Sequence, residues 1–291
     1  MNCYRLCEYG VSRLSAAAAL MWLLGCGGEA FAGDKGAAEP GKDAPSVRSI
    51  AFSGLQWNVK ASTPGNKLGP GPNDWGGTDE NVWLDKQGRL HLKITKRQDE
   101  HGKLQWFCAE IVSLKSFGYG EYRWYLDTPI KADPKVVLGL FTWDDSPESE
   151  KFHHREIDIE LISMWGDASG TNAQFVVQPW LTPGNRHRFA IADPGLSATT
   201  HSFLWRKNNV LFRSLRGQGS GVSGKNSLLE EWNFSGADVP PAGRKNGEKV
   251  RMNLWLISLP TNDSSEAEVV ISKFEFVPLA KASVTTVKPE R

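Results

Sequence analysis

Cysteine is scarce where a disulfide framework would need it. Four are present, but Cys3, Cys7 and Cys26 fall in the N-terminal region and leave Cys108 alone in the body of the chain. An internal disulfide is therefore excluded there, and stability must come from a buried core, which 291 residues can supply. Cys108 itself reads as a small buried apolar residue and not as a nucleophile. Charge of one sign is also missing: 34 Lys and Arg stand against 33 Asp and Glu, for a net charge of +1, with no long basic run. Nucleic acid and anionic membrane surfaces are thereby poor candidates for the main partner. There is no internal repeat and no long helical periodicity.

What is abundant points elsewhere. The 12 tryptophans are roughly three times ordinary usage, and the 29 glycines and 16 prolines supply the turns of an all-β chain. The N-terminus reads as an export signal: Arg5 and Arg13 precede and open an apolar run, Leu14 to Leu24, that is too short to span a bilayer comfortably. Two processing sites compete. Ala30-Phe31-Ala32 would release a chain beginning at Gly33, whereas Leu23-Leu24-Gly25-Cys26 would make Cys26 a lipid-anchored first residue. Residues 1–32 (or 1–25) are thus expected to be removed, and the protein is expected in the periplasm, outside the cell or anchored at the envelope. The polar stretch 33–47 reads as a tether, 48–279 as one domain and 280–291 as a polar tail. A monomer is expected.

Short runs of β-formers broken by turn residues recur through the domain. Leu90–Thr95, Gly120–Leu126, Val136–Trp143, Glu156–Leu161, Asn172–Trp180, Val250–Ile257 and Val269–Val277 are examples, and such spacing predicts an antiparallel two-sheet β-sandwich.

The chemistry is concentrated in His153-His154-Arg155-Glu156-Ile157-Asp158-Ile159-Glu160-Leu161. Side chains alternate faces along a strand, so Ile157, Ile159 and Leu161 share one face and Glu156, Asp158, Glu160 and, by the same parity, His154 the other. Three acidic groups in a row repel one another. Glycoside hydrolysis gives them a purpose. A retaining mechanism needs one carboxylate as nucleophile and one protonated carboxyl as acid, about 5–5.5 Å apart. Glu156 and Glu160 stand about 13 Å apart at their Cα atoms, a gap two long side chains can close. Asp158 between them would hold one glutamate protonated and orient the other. An acidic, solvated strand face is the plain alternative.

Other strands repeat a two-faced pattern. Leu138 and Leu140 oppose Gly139, Phe141 and Trp143; Phe175 and Val177 oppose Gln174, Val176, Gln178 and Trp180; Met252, Leu254 and Leu256 oppose Arg251, Asn253 and Trp255. Aromatic rings and amides on one face suit pyranose rings and their hydroxyls.

With these residues in view the chain resembles glycoside hydrolase family 16, the jelly-roll enzymes that include lichenases and laminarinases. Glu156-Ile157-Asp158-Ile159-Glu160 matches the family's E-[ILV]-D-x-E signature; Phe117-Gly118-Tyr119-Gly120-Glu121-Tyr122, Gly139 to Trp143, Ala173-Gln174-Phe175 and Met252-Asn253-Leu254-Trp255 resemble further segments in the same order. The resemblance implies a concanavalin A-like jelly roll. It also implies Glu156 as nucleophile, Asp158 as its assistant, Glu160 as acid/base, cleft aromatics at Trp143 and Trp255, and a sugar contact at Glu110. Gln178, Trp180, Asn253 and His154 complete the expected substrate-binding set. Ile111 and Val112 after Glu110, Val176 after Gln174-Phe175, and the lack of a partner for Cys108 depart from the lichenase pattern.

The expected activity is an endo-acting, retaining β-glycosidase on a β-glucan or galactan. A non-catalytic carbohydrate-binding protein and a transglycosylase on the same fold are the alternatives. No cofactor is expected. A structural Ca²⁺ held by backbone oxygens would leave no mark in the sequence. Adjacent His153 and His154 point to opposite faces of a strand and cannot readily share a metal. Gly219 to Gly224 spells G-x-G-x-x-G, but no helical pattern follows it and it reads as a loop.

Overall fold

The computed structural model describes residues 47–63, 65–131, 133–163, 165, 170–193, 195–218, 227–243, 247–258 and 265–279. The export signal with both cleavage sites, the tether up to residue 46, the tail 280–291 and the glycine motif 219–224 lie outside the described residues.

Among the described residues the regular secondary structure is nearly all strand. In order these are β1 (Ser49–Phe52), β2 (Leu55–Val59), β3 (Asp74–Trp75), β4 (Val82–Leu84), β5 (Leu90–Gln98) and β6 (Leu104–Ser113). There follow β7 (Gly120–Asp127), β8 (Val136–Trp143), β9 (Ile157–Leu161), β10 (Ala173–Val177) and β11 (Arg186–Phe189). The last are β12 (Ala198–Trp205), β13 (Val210–Arg216), β14 (Leu228–Phe234), β15 (Lys249–Leu256) and β16 (Ala267–Pro278). Between β8 and β9 the segment Pro147–Arg155 forms short 3-10 turns.

Pairing runs β11-β10-β9-β8-β15-β6-β5-β16-β7-β12-β13-β14, with β2 and β3 beside β6, β1 beside β2 and β4 beside β5. Every pair is antiparallel except β3 with β6. The run bends where β5 and β6 diverge. They pair through Thr95–Gln98 and Leu104–Phe107; further along, β5 joins β16 and β6 joins β15. Two layers result: the antiparallel two-sheet sandwich that the strand spacing predicts, and the jelly roll that the resemblance implies. A two-residue connection with both residues at positive φ, Ser53 (52°) and Gly54 (73°), closes the β1–β2 hairpin, as the twist of paired strands favours.

The aliphatic faces read from parity form the core of the first layer: Leu138, Leu140, Ile157, Ile159, Phe175, Met252 and Leu254 are all fully buried. Large aromatics dominate the second, including Tyr122, Trp124, Phe203 and Phe212. Phe175 stacks on Phe212 across the interface, ring centroids 4.9 Å apart, and Trp57 meets Phe274 edge-on at 5.5 Å. Each such side chain contributes on the order of 1.5–3 kcal/mol by burial. Cys108 is wholly buried, and burial pushes its thiol up to about 12, the behaviour of a core residue.

Two expected strand limits are corrected. The strand begins at Ile157, not Glu156, because His153, His154 and Arg155 hold positive φ and cannot extend it. His154 is therefore off the strand alternation altogether. β10 ends at Val177, because Pro179 has no N–H to continue the ladder. Gln178 and Trp180 thus belong to the following turn.

Candidate active site

The carboxyl row is positioned by its neighbours in the sheet. Phe141 lies opposite Asp158 and Gly139 opposite Glu160 on β8; Val176 faces Asp158 and Gln174 faces Glu160 on β10. Directly opposed residues share a sheet face, so the row sits on the side away from the core. Glu156, Asp158 and Glu160 line one small hollow together with Pro70, Gly139, Phe141, Asn253 and Trp255. Gly139 is required there by space: a Cβ on it would lie 2.4 Å from Asn253 Oδ1.

Two amides hold the row in place. Gln174 Nε2 donates to Glu160 Oε2 and Arg188 Nε donates to Gln174 Oε1 at 3.0 Å, while Gln178 Nε2 donates to Asp158 Oδ2 at 3.1 Å. Burial pushes all three carboxyls above the ordinary carboxylate range, and their mutual repulsion adds to this at Glu156 and Asp158. Burial and repulsion thus disfavour three charges at once in the row. The hydrogen bond between Asp158 and Glu156 stabilises the proton on Asp158 and the charge on Glu156. The charge of Arg251 also favours ionised Glu156. At Glu160 burial is opposed by Gln174 and by the charges of Arg188 and Arg186.

Beside the hollow lies a buried polar network. Glu110 is fully buried and accepts from Lys60 Nζ at 2.9 Å, Arg251 Nη1 at 3.0 Å and Asn253 Nδ2 at 3.3 Å. Arg251 also bridges to Asp145. Asn253 Oδ1, buried and on the hollow's wall, has no partner among the described residues.

The residues singled out from sequence thus take different places. Glu156, Asp158, Glu160, Asn253 and Trp255 come together. Glu110 lies on β6 beside them, opposite Asn253, and reaches the hollow through it. Gln178 touches the row through Asp158. Trp143 lies at the end of β8 with His154 stacked on it, ring centroids 4.1 Å apart. Trp180 is 48% exposed with the Arg186 guanidinium 5.3 Å from its ring centroid. Arg251 and Gln174 were legible on the polar faces of their strands without being singled out. Arg186 and Arg188 lie on β11, whose Arg-His-Arg-Phe alternation is the signal that would have revealed it.

The backbone around β9 is unusual. Six non-glycine residues among those described have positive φ, and five of them flank this strand: His153, His154 and Arg155 before it, Ile162 and Trp165 after it. Each left-handed residue costs on the order of 1–3 kcal/mol and persists only where surrounding contacts impose it.

No family model matches the chain, and no curated protein matches it. Solved structures do. The β-glucanase of Bacillus licheniformis is 18% identical, with 81% of this chain and 99% of that one covered at a TM-score of 0.52. A variant of LamA from Zobellia galactanivorans, solved with laminaritriose and laminaritetraose, is 14% identical over 76% of this chain and 91% of that one, at 0.50. A pseudo-β-1,3-glucanase of Mycobacterium tuberculosis is 16% identical over 76% and 90%, at 0.51. The chain has the fold of the β-glucanases and laminarinases.

Proposed function

We infer that the protein is an endo-acting glycoside hydrolase that cleaves a β-linked glucan or galactan with retention of configuration. The observation that carries this reading is the row Glu156, Asp158 and Glu160 on one sheet face, lining a hollow with Trp255 and Asn253. Fold alone would not suffice, since one protein of similar structure is described as a pseudo-glucanase. Three adjacent carboxyls are costly to bury unless protons move among them. Ionised Glu156 attacks the anomeric carbon and forms a glycosyl-enzyme. Glu160 gives its proton to the leaving oxygen, then takes one from the incoming water. Asp158 keeps its proton and donates to Glu156, steadying the nucleophile until the covalent bond forms. Asn253 Oδ1 accepts from a sugar hydroxyl, and Trp255 offers a ring face to a pyranose. No cofactor takes part. Acting on an external polysaccharide agrees with an exported or Cys26-anchored monomer.

Release of reducing ends from β-1,3-glucan, mixed-linkage glucan, agarose, carrageenan and β-galactan tests the reading. The β anomer should be the first product by NMR. Glu156→Ala should lose turnover and regain it with azide as an inverted glycosyl azide, whereas Glu160→Ala should keep activity on substrates with activated leaving groups. An inverted first product from wild-type protein would remove Glu156 as nucleophile. Binding of one of these polymers without cleavage would favour a carbohydrate-binding protein.

A further inference from the structure

The three consecutive left-handed residues His153, His154 and Arg155 end at Glu156, so the direction in which this carboxyl leaves the backbone depends on what imposes the turn. The contacts that do so converge on one side chain. Asp144, only 2% exposed, receives Arg155 Nη1 on Oδ2 and the Ser146 N–H on Oδ1 at 2.9 Å. Its backbone N–H donates to His154 O at 2.8 Å, and its carbonyl accepts from Ser149 Oγ at 2.8 Å. Arg155 is 5% exposed; its Nε donates to Pro241 O at 3.0 Å and its guanidinium lies over the Phe152 ring. Buried Thr142 Oγ1 donates to Arg155 O at 2.9 Å, tying the last residue of the turn to the end of β8.

We propose that Asp144 is a positioning residue for Glu156: through its buried ion pair with Arg155 it holds the left-handed turn that aims this carboxyl into the hollow. A buried guanidinium that loses its ion-pair partner is strongly destabilised, so Asp144, which makes that ion pair, does most to hold Arg155 inside, and the turn is fixed by the same contact. The kinetic side of the proposal rests on the hydrolase reading; the conformational side does not.

The test has two arms. In the first, NMR backbone shifts and HN–Hα couplings of His153 to Arg155 are compared in wild-type protein, Asp144→Asn and Thr142→Val, the last leaving no buried charge unpaired should Asp144→Asn fold poorly. The left-handed signature should be lost in Asp144→Asn and weakened in Thr142→Val. An unchanged turn in whichever of the two folds overturns the proposal, whatever the activity.

In the second arm, kcat should fall up to about a hundredfold in Asp144→Asn, the scale of a misplaced catalytic group, with KM within about twofold. In the Glu156→Ala background with azide as nucleophile, adding Asp144→Asn should change the rescued rate less than about twofold, since the group it positions is gone. A rescued rate that falls in the same proportion as the unrescued one overturns the proposal, because Asp144 would then support the whole cleft. Loss of the turn in a protein that cleaves no polymer would leave the clamp standing and the hydrolase reading refuted.

Discussion

Trp143 and His154 lie face to face, their ring centroids 4.1 Å apart and their planes within 9° of parallel. One ring closes β8 and the other belongs to the left-handed turn before Glu156, so the stack joins the two elements that meet at the carboxyl row. Trp143→Ala and His154→Ala should be non-additive in urea unfolding, with a coupling of about 0.5–1.5 kcal/mol. Strict additivity would show that the rings do not pack in solution.

Trp255 should behave differently. It is half-buried on the wall of the hollow, on the side of β15 opposite Met252, Leu254 and Leu256. Trp255→Ala should lower turnover on polysaccharide by about tenfold, the scale of a lost stacking face, while the unfolding midpoint changes little. A large fall in midpoint with activity per folded molecule unchanged would assign the ring to the core.

Arg251 gives a pH prediction. Its charge favours ionised Glu156, the form that the proposed attack requires. Arg251→Met removes the cation, raises the carboxyl further and should move the acid limb of kcat/KM to higher pH. A limb that stays put or moves down would mean that Arg251 acts only as a support for Glu110.

The carboxyl row should also mark stability. Asp158 is held well above the ordinary range, first by burial, so the folded state keeps a proton that the unfolded chain releases near pH 4. Its contribution is complete below that pH and is lost as pH rises towards the folded value. The thermal midpoint should therefore fall between pH 5 and pH 8. Asp158→Asn, neutral at every pH, should gain over wild type at pH 8 and lose that gain at pH 5, with about 2–4 °C for each kcal/mol. A gain independent of pH would point to packing and not to ionisation.

The export expected from the sequence is tested by the N-terminus of the protein in cells. Intact mass from envelope fractions should correspond to a chain starting at Gly33 or to one starting at acylated Cys26. A full-length mass beginning at Met1 would contradict both.

Much of this was readable in the residues, because alternation along a strand is a rigid rule. The aliphatic faces of β8, β10 and β15 and the carboxyl row all follow from a period of two. The core tryptophans proved harder to place. Trp57, Trp75, Trp106 and Trp205, on strands outside those the β-former runs mark, are buried in the core, where parity gives no guidance. The rule also failed at His154, since nothing in His-His-Arg announces a left-handed turn; these are not the residues that adopt it at low cost. The ties of Asp144 to Arg155 and of Thr142 to the Arg155 carbonyl, spanning 11 and 13 positions, depend on how a loop closes, and no periodicity encodes that.

Consider, finally, where β15 and β16 go. Each C-terminal strand is inserted between two much earlier ones: β15 lies between β6 and β8, and β16 between β5 and β7. Neither layer can zip up until the last strands have left the ribosome, and both need long-range pairings that form slowly. The hollow, which takes Asn253 and Trp255 from β15, is therefore among the last features of the molecule to form.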